Sequence, residues 1–141
     1  MDAAHALIDW TPLLRLLGLA AVIALLPLSW WWLRQHGAPL PRKLAALTAL
    51  ILFLTIDLIV VGAFTRLTDS GLGCPDWPGC YGKLTPWGAK AEISAAQAAQ
   101  PTGPVTHGKA WIEMVHRYLA MAVGALILVA ASMSWRARAQ L

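Results

Sequence analysis

Apolar residues are concentrated in three long stretches of the chain. These stretches run over about residues 13–33, 44–64 and 111–135, and charged residues are rare within them. Crossing the hydrocarbon core of a bilayer takes about 20 residues of helix, at a rise of about 1.5 Å per residue. The pattern therefore predicts three transmembrane helices.

The polar segment between the second and third stretches has a pattern of its own. Glycine and proline crowd residues 70–82, which predicts a series of turns. The Ala- and Gln-rich run 91–100 favours a short surface helix that must stop at Pro101. Residues 101–108 then predict an irregular connector that leads back to the third stretch.

Composition narrows the class of protein. Of 141 residues, 58% are hydrophobic and only 13% are charged, against about 25% charged in average soluble domains. A soluble domain of this size could not bury so much apolar surface. A soluble globule, a disordered tail and a disulfide-knotted secreted protein are thereby excluded. The first stretch is too long for a signal peptide, and Asp2 and Asp9 precede it where a signal peptide has basic residues.

The distribution of charge predicts an orientation. The formal net charge is +4, but the basic residues are scattered, so no nucleic-acid-binding face is expected. The connector after the first stretch and the C-terminal tail carry basic residues without acids, and both are expected in the cytoplasm. The N-terminus and the 66–110 loop then lie outside. The basic residues are Arg34, Arg42, Lys43, Arg136 and Arg138.

Tryptophans mark the ends of the predicted helices. Trp10 and the run 30–32 are separated by about one membrane thickness of helix, and so are Trp111 and Trp135. Such positions are typical of interfacial aromatic anchors.

Two cysteines lie in the predicted external loop. Cys74 and Cys80 could form a disulfide in an oxidising compartment. Two free thiols, or a metal site that includes His107, remain alternatives.

Ionisable residues near the start of the third stretch are candidates for chemistry. Glu113 and His116 share one helical face. One interpretation pairs Glu113 with Arg117 at i,i+4 and leaves His116 as a core residue. The other makes His116 an axial ligand of a heme iron, with Glu113 beside it. In the second stretch, Asp57 is either a structural partner or a functional group.

Arg66 follows the second stretch at the predicted outer interface. An arginine there can make bidentate bonds to carboxylates, including heme propionates, or extend to lipid headgroups. The start of the third stretch converges on the same interface, so the sequence predicts a site at the outer mouth of the helices.

Two motifs carry a resemblance to a known family. The run GAFTRLTDSGLGCPDWPGCYG and the later run HGKAWIEMVHRYLA closely resemble the amino-terminal half of heme A synthase, over about residues 44–135. That family oxidises a methyl group of heme O to the formyl group of heme A for terminal oxidases. The first span would be an additional amino-terminal helix.

The resemblance implies roles for individual residues. Glu113 matches the family's catalytic glutamate, and His116 matches its heme-iron ligand at the substrate site. Beside these matched residues, Arg66 and Arg117 are expected to bind the cofactor because of their positive charge. Cys74 and Cys80 match a cysteine pair that forms a disulfide in many bacterial members.

The resemblance also implies an all-α integral membrane fold of two related four-helix bundles. This chain supplies two of those helices in residues 44–135, preceded by the extra helix and connector in 1–43 and followed by a cytoplasmic tail, 136–141. The heme b ligands of the full fold would lie beyond Leu141. The chain is therefore expected to be one piece of the protein, completed by a missing C-terminal half or a partner chain.

The family relation further implies surroundings and partners. These are heme O, membrane lipid, heme O synthase or oxidase assembly factors, and a bacterial inner membrane with the N-terminus in the periplasm. The alternative function is a small heme-binding electron-transfer subunit, or a non-catalytic assembly protein. Glu113 distinguishes the enzyme from the electron-transfer subunit, because a simple cytochrome helix needs no carboxylate beside its heme ligand.

Overall fold

The computed structural model describes residues 11–138, in which the regular elements are four helices. Three of them are long and apolar enough to cross a membrane, which confirms the predicted three-span, all-α fold. Asp2, Asp9 and Trp10 lie outside the described residues. The helices are α1 (Thr11–Gln35), α2 (Leu40–Leu67), α3 (Lys90–Ala99) and α4 (His107–Ala137).

Each spanning helix is a few residues longer than its apolar stretch. Pro39 caps α2 and Pro41 lies in its first turn, where a proline's missing N–H removes no helical hydrogen bond. Thr106 caps α4, because its side chain accepts a hydrogen bond from the backbone N–H of Lys109 at 3.2 Å. His107 and Gly108 therefore belong to α4, and the prediction of an irregular connector through residue 108 was wrong by two residues.

Helix α4 is the centre of the bundle. It packs against both α1 and α2, whereas α1 and α2 contact each other much less. We call the end of the bundle that carries residues 68–106 the loop end, and the end that carries residues 36–39 the connector end. Helix α2 runs from the connector end to the loop end, and α1 and α4 run the opposite way.

The connector end is held by an apolar cluster of Trp31, Leu47 and Leu126. Trp31 is 4% exposed, and its indole N–H donates to the carbonyl oxygen of Lys43 at 3.1 Å. The prediction that all three tryptophans of 30–32 are interfacial anchors was therefore wrong for Trp31, while Trp30 and Trp32 are exposed. A buried indole needs a hydrogen-bond acceptor, and the start of α2 supplies one.

The outer surfaces of the spanning helices are apolar. In the most apolar 18-residue segment of each spanning helix, only 6% to 22% of the residues are buried. Large side chains such as Leu26, Leu33 and Ile59 are more than half exposed. A soluble protein would not leave such a surface in water. These faces suit contact with lipid chains.

The loop between α2 and α4 folds onto the N-terminal part of α4. Cys74 and Cys80 form a disulfide with their Cα atoms 4.9 Å apart. Both sulfur residues are buried in a cluster with Ile93 of α3 and Met114 of α4. The Tyr118 hydroxyl donates to the carbonyl oxygen of Leu84 at 2.7 Å. The loop is thus a packed cap on the bundle.

Candidate functional site

Glu113 lies at the centre of the contact between α4 and the loop, and it is 5% exposed. Its Oε1 pairs with Arg117 Nη2 at 2.5 Å. Its Oε2 accepts a hydrogen bond from the backbone N–H of Cys74 at 2.7 Å. Both carboxylate oxygens therefore have partners, and His116 is not among them.

Arg117 ties the loop to α4 through backbone carbonyl groups. Its Nη1 donates to the carbonyl oxygens of Asp76 at 2.6 Å and Gly79 at 2.8 Å. Its Nη2 also reaches the carbonyl oxygen of Cys74 at 3.5 Å. The planar fork of an arginine suits several acceptors held at fixed angles. Arg117 is therefore committed to the disulfide loop, and it is a positioning residue.

A glycine lets the loop approach α4 closely. A Cβ at Gly73 would lie 2.5 Å from the carbonyl carbon of Lys109 and 2.6 Å from the backbone nitrogen of Ala110. Only a residue without a side chain fits so near another backbone. This approach brings the N–H of Cys74 within reach of Glu113.

His116 lies one turn further along α4, opposite Gly62 of α2. A Cβ at Gly62 would lie 2.9 Å from His116 Nε2, so the absence of a side chain at 62 makes room for the ring. Within residues 11–138 the imidazole has no hydrogen-bond partner. A neutral imidazole without a protein partner is a good ligand for iron.

Two spaces meet at His116. The polar cavity, about 690 Å³, lies between α2, the loop and α4, and Arg66, Lys109, Glu113, His116 and Arg117 are among the residues that line it. The apolar groove, about 860 Å³, lies between α1 and α4 and also reaches His116 and Arg117. Both volumes are within the range of about 300–1,000 Å³ usual for ligand sites.

The structure brings together most of the predicted site residues. Arg66, Glu113, His116 and Arg117 all line the polar cavity. The disulfide pair joins them through the N–H of Cys74. These contacts fit the predicted convergence of both ends of the loop at one mouth.

Two other candidates lie elsewhere. His107 Nε2 shares a hydrogen bond of 2.9 Å with Ser94 Oγ, which links α4 to α3. Asp57 is half-buried in α2 and has no ion-pair or hydrogen-bond partner in the described part of the chain.

Sequence reasoning missed Lys109 and Gly62. Lys109 lines the polar cavity and lies four residues before Glu113, so helical spacing could have placed it on the same face. Gly62 contacts His116 across two helices, and no local pattern signals such a contact.

The fold and the site together define a multi-pass helical membrane protein. A histidine with no hydrogen-bond partner in the described part of the chain lies between a polar cavity and an apolar groove. Residues 45–141 match the model of the COX15-CtaA family, described as cytochrome oxidase assembly protein. The match covers more than half of the chain, and the chain belongs to this family.

Individual relatives point the same way. The heme A synthase of Shewanella oneidensis is 46% identical over 86 residues, which are 61% of this chain and 26% of that protein. The heme A synthase of Exiguobacterium sibiricum is 32% identical over 62% of this chain and 24% of its own length. That of Sinorhizobium fredii is 28% identical over 67% of this chain and 29% of its own. The chain spans about a quarter of these relatives, and no solved structure matches it.

Proposed function

We propose that this chain forms the amino-terminal part of a heme A synthase. Such an enzyme oxidises a methyl group of heme O to the formyl group of heme A for cytochrome oxidase. Family membership and the heme A synthases among the relatives support this assignment. The rest of the enzyme, with the ligands of its heme b, is then supplied by a C-terminal half or a partner chain. Heme O synthase and oxidase assembly factors are the expected neighbours in the membrane.

The observation that carries the proposal is the environment of His116. Its ring has no hydrogen-bond partner among residues 11–138, it faces Gly62, and it lines both the polar cavity and the apolar groove. A core histidine with a structural role would be hydrogen-bonded. His116 is therefore the residue that would hold the iron of heme O.

The cations of the polar cavity fit the propionate groups of the substrate. Arg66 is exposed and Lys109 is half-buried on the facing helix. Charge-assisted hydrogen bonds to carboxylates are among the stronger contacts in proteins. Arg117 contributes positive charge to the cavity, but its donors are already bonded to the loop and Glu113. We therefore assign propionate binding first to Arg66 and Lys109.

Glu113 contributes negative charge beside the substrate. Its two oxygens accept hydrogen bonds from the backbone N–H of Cys74 and from Arg117, which hold the carboxylate in one position. A carboxylate held in place can stabilise positive charge that develops on the reacting carbon. A proton shuttle would first have to break one of these bonds, so the contacts favour the electrostatic role.

Heme binding is tested by comparing two histidines on the same helix. The purified full chain in detergent is titrated with heme O, and binding is followed by the optical spectrum and by pigment extraction. His116→Ala is expected to lose the spectral signature of histidine-ligated heme. His107→Ala is the matched control, because His107 is bonded to Ser94 and lines neither space. An unchanged spectrum in His116→Ala would contradict the assignment.

One observation favours a second candidate function. Both oxygens of Glu113 are used to hold the loop, which is all that a structural residue needs to do. A heme-binding electron-transfer subunit would use His116 and require nothing more of Glu113. The assay is the ratio of heme O to heme A in membranes, normalised to protein level, for Glu113→Gln. The synthase requires heme O to accumulate while heme remains bound, and wild-type heme A would favour the second candidate.

We assign the chain to a bacterial inner membrane, and the distribution of basic residues supports one orientation in it. Arg34 lies in the last turn of α1 and Arg42 lies in the first turn of α2, so the connector end is basic and is assigned to the cytoplasm. The loop end then faces the periplasm, where a disulfide persists. Cysteines introduced at His36 and at Lys90 report this with an impermeant thiol reagent. Only position 90 is expected to react in cells with a permeabilised outer membrane, and labelling at 36 would reverse the orientation.

A further inference from the structure

The apolar groove is not used by the chemistry described so far. Its α4 wall extends from His116 to Val129, which is about 20 Å at the rise of an α-helix. Its other wall is α1, and Trp77 of the loop lies at the His116 end. Apart from His116 and Arg117, the lining is formed by apolar residues.

The groove exists because short side chains line both walls. Ala20, Ala21 and Ala24 contribute from α1, and Ala120 and Gly124 contribute from α4. A Cβ at Gly124 would meet no atom within 4 Å. The groove therefore has free space beside Gly124.

The groove and the polar cavity share His116 and Arg117. A ligand whose iron is bound by His116 therefore has cations on one side and a long apolar channel on the other. This arrangement fits a molecule with carboxylates at one end and a long hydrocarbon chain elsewhere on the ring. A porphyrin without such a chain would leave most of the groove unfilled.

We propose that the groove holds the isoprenoid chain of heme O and that α1 forms one wall of this subsite. The inference rests on the proposed function, and it adds a specificity determinant to it. The site thereby prefers heme O to protoheme, which has the same propionates but lacks the isoprenoid chain. Residues matched by the family model begin at 45, so α1 adds this wall from outside the matched segment.

The expected preference is modest. In a micelle or bilayer the isoprenoid chain of the heme leaves one apolar environment to enter another, so hydrophobic transfer contributes little to the binding free energy. Dispersion contacts with the two walls remain, and they are small individually but add along the chain. We expect heme O to bind about tenfold more tightly than protoheme, the equivalent of about 1.4 kcal/mol.

The test compares both hemes on groove-filling variants of the full chain. Gly124→Phe fills the groove from α4, and Ala21→Phe fills it from α1, where residue 21 is exposed. Gly18→Phe is the matched control, because a Cβ at Gly18 also meets no atom within 4 Å and residue 18 does not line the groove. Dissociation constants for heme O and protoheme are measured by optical titration in detergent.

Both groove variants are expected to lose the tenfold preference while their affinity for protoheme stays at the wild-type value. That unchanged affinity also shows that the variants fold. Gly18→Phe should keep the preference. Equal affinities of the wild-type protein for the two hemes would contradict the proposal that the groove binds the isoprenoid chain. The proposed function would not be affected.

Three other results also overturn the inference. Binding of neither heme would also remove the assignment of His116 as the residue that holds the iron of heme O in this chain. Loss of protoheme affinity in both groove variants would mean that the ring, and not the chain, occupies the groove. Loss of preference in Gly124→Phe alone would remove α1 from the subsite.

Discussion

The two ends of the bundle are stabilised by different interactions. At the connector end, Trp31, Leu47 and Leu126 pack against one another as an apolar cluster. At the loop end, a buried carboxylate and a half-buried guanidinium hold a folded loop through its backbone N–H and carbonyl groups. Apolar packing has no fixed direction, whereas these bonds fix where each atom lies.

This difference explains why the proposed site lies at the loop end. Catalysis and ligand binding require groups held in defined positions. Glu113 and Arg117 are held in defined positions because their partners on the loop are fixed in turn by the disulfide between Cys74 and Cys80. The connector end needs only to keep three helices together. Mutations at the loop end should therefore release the loop, whereas mutations at the connector end should lower the stability of the helix bundle.

Arg117→Ala should have the largest effect. It leaves Glu113 buried without its ionic partner and removes the donors to Asp76 and Gly79. Breaking one side of a buried pair costs about 3–5 kcal/mol. The loop should detach, and limited trypsin cleavage after Lys83 and Lys90 should become fast while the spans remain helical. Arg117→Lys, which keeps the charge but not the fork, should be intermediate.

Leu126→Ala should be the next largest and should act at the other end. Leu126 of α4 is fully buried against residues of α1 and α2. The cavity left by such a change costs about 2–5 kcal/mol of stability. In lipid the lower end of that range applies, because packing alone is lost. The free energy of unfolding in detergent should fall, with no change in trypsin cleavage of the loop. Faster loop cleavage would show that the two ends are coupled.

Replacing both cysteines by serine should have a smaller and local effect. Closing a ring this short stabilises a chain by about 2 kcal/mol in the loop-entropy description. Glu113 can still accept from the backbone N–H of residue 74, so the anchor to α4 persists. Trypsin cleavage of the loop should rise by less than in Arg117→Ala, and unfolding of the spans should not change. Thiol alkylation without reduction should give no mass shift in the wild-type chain.

Trp31→Phe should have the smallest effect. The change keeps most of the buried ring and removes the N–H that donates to Lys43. The backbone carbonyl of Lys43 loses one of its partners at a cost of about 1 kcal/mol. The same detergent unfolding assay measures it, with Trp30→Phe as the exposed control. A loss as large as that of Leu126→Ala would mean that this hydrogen bond, and not packing, fixes the connector end.

Much of the fold could be predicted from local patterns. Three apolar stretches gave three spans, Pro101 gave the end of α3, and i,i+4 spacing placed Glu113 beside Arg117. These features depend on neighbouring residues and on the bilayer, so the sequence contains them directly. The boundary at residue 107 was missed because it depends on the side-chain cap from Thr106.

The contacts at the site depend on tertiary structure. Which atom meets the second oxygen of Glu113 depends on the path of a glycine- and proline-rich loop, and that path is set by the close approach of Gly73 to α4. The burial of Trp31 against Leu126 likewise depends on how three helices pack. Sequence periodicity shows the face of one helix and does not show which helix will cover it.

The sequence by itself determined that residues 11–138 contain three membrane-spanning helices and that ionisable residues gather near one end of the third. Hydropathy and helical spacing are properties of neighbouring residues, so they can be read without coordinates. Only the tertiary structure decided that Arg117 is committed to the loop, that Gly62 makes room for His116, and that α1 and α4 enclose a groove. These contacts join residues far apart in the chain, and their positions depend on the packing of the whole bundle.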